Sequence, residues 1–107
     1  MHRIVWLGTS KDELKSFPNA ARQLAGYQLG KIQQGGNADD WKPMPDVGIG
    51  VREIRVRDST GAFRVLYAVR FGDAVYVLHA FQKKSQATRR SDLELARERF
   101  KSIARVR

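Results

Sequence analysis

The sequence predicts an α+β fold built on a small twisted antiparallel sheet, with a helical hairpin before it and one helix after it. Two observations predict it. Three β-patterned segments follow one another at 51–57, 63–71 and 74–82, separated only by turn residues, and helical-period apolar positions lie on both sides of that block. The length, 107 residues with 42% hydrophobic side chains, suits one domain over 1–107 and excludes a chain disordered by composition. A chain of this size buries roughly 65% of its unfolded surface, enough for a modest core.

Each element has its own signal. "RIVWL" at 3–7 is a strand. Ser10 opens "SKDEL", where Ser10 and Glu13 have the spacing of a capping box. Pro18 interrupts that helix and suits the first position of a second one, where its missing N–H costs nothing. In the second helix Ala21, Leu24, Ala25, Leu29 and Ile32 share a face, and Gly35-Gly36 ends it. Residues 37–50, with Pro43, Pro45, Gly48 and Gly50, read as a loop anchored by Trp41. Asp58–Gly61 and Gly72-Asp73 supply the turns of an antiparallel meander. The segment from Ser91 onward is a terminal helix with a second capping box, Ser91 and Glu94, and a narrow stripe of Leu93, Ala96, Phe100 and Ile103.

Charge supplies the first functional hint. The net charge is +9, and it is uneven: +1 over residues 1–50 and +8 over 51–107. Such a field favours polyanions, RNA or DNA above all. The absence of cysteine excludes disulfides and thiolate metal sites, and it fits a reducing, cytoplasmic setting. No apolar run approaches the ~20 residues of a membrane span, and the first ten residues read as a strand, not a signal peptide. No membrane partner is expected.

Strand alternation places the cations. In 63–71, Phe63, Val65, Tyr67, Val69 and Phe71 share one face; Arg64, Leu66, Ala68 and Arg70 share the other. In 51–57, Glu53, Arg55 and Arg57 lie on the face of Val51. One face can be covered by helices while the other carries arginines beside Lys83 and Lys84, at the end of the third strand. His79 reads either as a buried, hydrogen-bonded structural histidine or as a proton donor or acceptor. His2 is too remote in sequence to suggest a two-histidine metal site. Gly48-Ile49-Gly50 is too short for a dinucleotide fingerprint, and no Ser-His-Asp set, P-loop or carboxylate pair stands out. No metal or cofactor is expected.

Residues 48–100 resemble the RelE/HigB-like toxins of type II toxin–antitoxin systems, closest to a phage-derived HigB-like group. The resemblance rests on Glu53-Ile54-Arg55, Arg64-Val65-Leu66-Tyr67, His79-x-Phe81-x-Lys83-Lys84, Gln86, Thr88 and the helix that follows. Arg89 stands where members often have proline. The resemblance implies a RelE-like fold with helices packed on one face of the sheet. It implies an endoribonuclease that enters the ribosomal decoding site and cuts mRNA with the substrate's own 2′-hydroxyl as nucleophile. By position it implies Arg64, Lys83 and Lys84 as the main cleavage-site candidates, with Tyr67 and His79 secondary. Arg55, Arg57, Arg70, Arg89 and Arg90 are the RNA-binding candidates. The implied partners are a helix-turn-helix antitoxin and mRNA on the ribosome. A non-catalytic RNA- or ribosome-binding module of phage origin is the alternative, and a phage structural protein that binds DNA is a third reading.

Overall fold

A computed structural model describes residues 1–70 and 74–106, without the side chains of 104–106. The elements run β1 (Arg3–Trp6), α1 (Ser10–Lys15), α2 (Asn19–Gln33), β2 (Trp41–Pro43), β3 (Val51–Asp58), β4 (Gly61–Arg70), β5 (Ala74–Lys83) and α3 (Arg90–Val106). The α+β class and the antiparallel β3-β4-β5 meander are as expected. Asp58 holds the first turn, its Oδ1 accepting from the Thr60 N–H at 2.7 Å and the Thr60 hydroxyl at 2.6 Å. Gly61 follows at φ 142°, where a side chain would be strained. Phe71 and the expected Gly72-Asp73 turn lie outside the described residues.

Two strands change the sheet. The α1–α2 hairpin carries the chain from one edge of the sheet to the other, which leaves β1 beside the last strand. β1 therefore pairs parallel with β5, and the sheet is mixed, in the order β1-β5-β4-β3-β2. β2 lies in the stretch expected to be all loop. It pairs Trp41 with Ile54 and Pro43 with Arg52. Three residues are too few for alternation to show in sequence, and Pro43 is tolerated because β2 is an edge. The Arg52 guanidinium sits 4.1 Å from the Trp41 ring centroid.

The capping boxes do not form as expected. Ser10 lies inside α1, buried, and its hydroxyl donates to the Val77 carbonyl at 3.1 Å. Thr9 is the N-cap, without a side-chain cap bond. Both partners of the expected box are drawn instead to the edge of β5. At α3 the Asp92 and Leu93 N–H groups donate to the Arg89 carbonyl, and Glu94 accepts from Arg90 at 3.0 Å. Pro18 precedes α2 rather than opening it. Ala21, Ala25, Leu29 and Ile32 are buried as expected, but Leu24 is 39% exposed. Its place on the inner face is taken by Gln28, which donates to Asp39 Oδ2 at 2.9 Å and accepts from the Asp39 N–H at 2.8 Å.

Helices cover both faces of the sheet, not one. Leu14, Phe17, Ala21, Ala25, Leu29 and Ile32 pack against Ile54, Val56, Phe63, Val65, Tyr67, Val75 and Val77. On the opposite face Ala96 and Ile103 of α3 pack against Val51, Leu66, Ala68, Tyr76, Leu78 and Phe81, with Leu93 and Phe100 beside them. Val69, on the same face of β4 as Phe63, Val65 and Tyr67, is 41% exposed.

Candidate nucleic-acid interface

Sheet register decides which cations meet. On the α3 side of the sheet, Arg55 lies directly opposite Arg64, and Arg64 opposite Phe81. The next row is Arg57, Ala62 and Lys83. Ala62 is small, so it forms a floor between two cations. Arg57, Ala62, Arg64 and Lys83, with Lys84, Ser85 and Gln86 as the chain leaves β5, line an open groove of about 490 Å³. A smaller recess of about 160 Å³ shares Arg57 and Arg64 with it and adds Arg55, Val56 and Asp40.

A β-bulge makes this possible. Tyr67 pairs with Val77, yet Leu66 pairs with His79, so Leu78 is an extra residue in β5. With unbroken pairing Lys83 would fall opposite Gly61, on the face of Phe63 and Val65. The bulge turns Lys83 to the face of Arg64, the kind of re-aiming for which bulges recur beside functional sites. Sequence alternation alone could not reveal it.

The electrostatics follow from partial burial. Arg64 is only 8% exposed. Burial depresses its pKa, and the nearby Glu53 carboxylate partly offsets that. Its Nη1 donates to the Phe63 carbonyl at 3.1 Å. The Lys83 ammonium is pushed below the usual lysine range, first by desolvation and then by the Arg64 cation. Glu53 lies one row from Arg55 and Arg64 on the same sheet face and is fully buried. Its Oε1 accepts from Arg55 Nε at 3.4 Å and stands 3.5 Å from Arg64 Nε. Sequence reasoning placed Glu53 on this face but gave it no role. The available signal was its alternation in phase with Arg55 and Arg57.

Other candidates lie elsewhere. Tyr67 is 1% exposed and belongs to the α2 face; burial raises its pKa, against a hydrogen bond from Arg52. Arg70 sits at the other end of β4, bonded to the Ile49 carbonyl and 4.9 Å from the Phe100 ring centroid. Arg89 and Arg90 are exposed at the start of α3 and do not line the groove. His79 is 5% exposed, with Nδ1 2.8 Å from Glu13 Oε1 and Nε2 2.7 Å from Asp92 Oδ1. Arg99 donates to both Glu13 oxygens at 3.0 Å, to the Leu78 carbonyl at 2.9 Å and to the Thr9 hydroxyl at 3.0 Å. Glu13 also accepts from the Ala80 N–H at 3.2 Å. These side chains satisfy the edge of β5 beyond the end of β1, where no neighbouring strand pairs with it. They tie α1, β5 and α3 together, which is the structural placement of His79 rather than a place in the groove. Burial favours protonation of Glu13, but the Arg99, His79 and Ala80 hydrogen bonds outweigh it and hold its pKa at about 2.

The family model described as "Phage derived protein Gp49-like (DUF891)" matches residues 12–101. The chain belongs to this phage-derived Gp49-like family. The Gp49-like family is related to the RelE/HigB-like toxins. The match runs from α1 into α3, so it contains both the groove and the Glu13 cluster of this Gp49-like chain. No curated protein matches the sequence. Among the described residues, no helix is long and apolar enough to cross a membrane, and no group of three or more His, Cys, Asp or Glu side chains could hold a metal ion.

Proposed function

We propose that this Gp49-like protein is the toxin of a type II toxin–antitoxin pair, of the HigB-like branch, and that it cuts mRNA on the ribosome in the cytoplasm. The observation that carries the reading is the convergence of Arg57, Arg64, Lys83 and Lys84 on one groove. Cleavage forms a bond from the 2′-oxygen to phosphorus and breaks the bond to the 5′-oxygen. Lys83, with its depressed pKa, is suited to take the 2′-hydroxyl proton. Arg64, fixed by burial, stabilises the charge of the phosphorane; one such pre-aimed donor is worth ~10²–10³ in rate. Lys84, at the lip, returns a proton to the departing 5′-oxygen. The ribosome supplies the alignment of the message that so open a groove lacks.

The proposed partner is a helix-turn-helix antitoxin. An apolar recess of about 270 Å³ between β1, α1 and α2 is lined by Ile4, Trp6, Leu14 and Leu29 and rimmed by Lys11, Lys15 and Arg22. An acidic, partly apolar antitoxin segment complements it. Docking there leaves the groove open and neutralises by preventing the toxin from fitting the ribosome.

A second reading, a non-catalytic RNA- or ribosome-binding module, is favoured by one observation: among the described residues, the groove lining contains no histidine, tyrosine or carboxylate. Induced expression of wild type and a Lys83→Ala/Lys84→Ala variant separates the two. The catalytic reading expects growth arrest and message cuts at translated codons for wild type alone, both proteins being folded by circular dichroism. Arrest without cuts selects the binding module, and cuts at wild-type levels by the variant overturn the assignment of the groove.

A further inference from the structure

We infer that Glu53 is a positioning residue for the groove: from the neighbouring row of the same sheet face it holds the opposed Arg55 and Arg64 guanidinium groups in one phosphate-binding arrangement. The inference rests on the RNA-cleaving reading for its consequence in rate, and on geometry alone for its existence.

Glu53 is fully buried, so it cannot touch RNA and cannot itself be the base. Its surroundings are costly for a carboxylate. Among the described residues Oε2 has no hydrogen-bond partner, and Oε1 makes one long bond to Arg55. Arg64 Nε is also without a hydrogen bond, its 3.5 Å approach to Oε1 being an ion-pair contact only. A buried charge with half its acceptors unused is a poor way to stabilise a fold, since well-packed apolar groups commonly do as well or better. What the carboxylate accomplishes is local. Register sets Arg55 and Arg64 side by side, where two guanidinium groups repel. Glu53, two residues before Arg55 on the same face, supplies the countercharge between them. With its Nε side toward Glu53 and Nη1 on the Phe63 carbonyl, Arg64 is left to present its remaining edge to the groove it lines.

This role predicts a separation that a packing role does not. A neutral amide at position 53 raises the positive field of the groove by one charge, so RNA should bind as well or better. The aim of Arg64 is lost, so cleavage should slow. The test compares wild type, Glu53→Gln and Arg64→Ala on programmed ribosomes and on a single-stranded RNA oligonucleotide, with two-dimensional NMR of the arginine Nε–H signals. For Glu53→Gln we expect at least a tenfold fall in the single-turnover cleavage rate, oligonucleotide affinity equal to or up to several-fold tighter than wild type, and loss of the distinct Arg55 and Arg64 Nε–H signals in a folded protein. Wild-type cleavage by Glu53→Gln, or unchanged arginine signals, overturns the inference. Should wild type itself fail to cleave, the enzymatic reading fails, and the NMR arm still decides whether Glu53 positions the two arginines.

Discussion

Two carboxylates, Glu13 and Glu53, are each held against arginine, and they are used in opposite ways. Glu13 is about one-fifth exposed, yet both of its oxygens are engaged, by Arg99, His79, Thr9 and the Ala80 N–H. Glu53 is fully buried, yet among the described residues one of its oxygens has no hydrogen-bond partner. The better-solvated group is the better bonded. A network that satisfies every member strengthens a fold, and one left half satisfied weakens it. The Glu13 cluster joins three elements and covers an open strand edge. The Glu53 cluster lies beside the groove, where local stability is given up for the placement of two cations, a common feature of functional sites.

The largest expected effect is on the Glu13 side. Glu13→Ala leaves His79 and Arg99 without their shared partner and should cost ~3–5 kcal/mol, measured by urea denaturation. A loss under ~1 kcal/mol would show that the cluster is not what joins α1, β5 and α3. The pH dependence follows the same logic. The Glu13 pKa is lowered from 4.5 to about 2, so its contribution is fully present above about pH 4.5 and is lost as pH falls toward 2. The linkage amounts to roughly 3 kcal/mol. The stability curve of Glu13→Gln should therefore be flatter than that of wild type across that window, and parallel curves would contradict the shift.

The fold was legible where period and register agree, and the site only where chemistry stayed on one face. The β3-β4-β5 meander was readable because each strand alternates cleanly and Asp58–Gly61 is a strong turn. The Ser10-x-x-Glu13 spacing misled because both side chains found tertiary partners on β5, which no local motif can announce. β2 was missed because Trp41–Pro43 is too short to show a period. Arg64, Lys83 and Lys84 were readable as one cluster, but the reason Lys83 reaches the Arg64 face is the bulge at Leu78, and nothing in that apolar run marks it. Tyr67 and His79 are secondary candidates by the resemblance; burial on the α2 face and at the sheet edge puts both outside the groove.

A smaller effect is expected at Glu53. Glu53→Met/Arg64→Leu removes the buried carboxylate together with its buried partner and fills their space with apolar chains, so stability should lie within ~1 kcal/mol of wild type or rise slightly. A loss of several kcal/mol in chemical denaturation would mean that Glu53 stabilises the fold as Glu13 does, and the contrast between the two would collapse.

The open, cationic end of the sheet is proposed to do chemistry on ribosome-bound message. The most direct measurement is single-turnover cleavage of a labelled mRNA, with and without a programmed ribosome, by wild type and Arg64→Ala. Wild type should cut rapidly only when the ribosome is present, folded Arg64→Ala should cut ~10²–10³ more slowly, and free RNA should be cut little. Equal cleavage rates for wild type and folded Arg64→Ala would contradict that role.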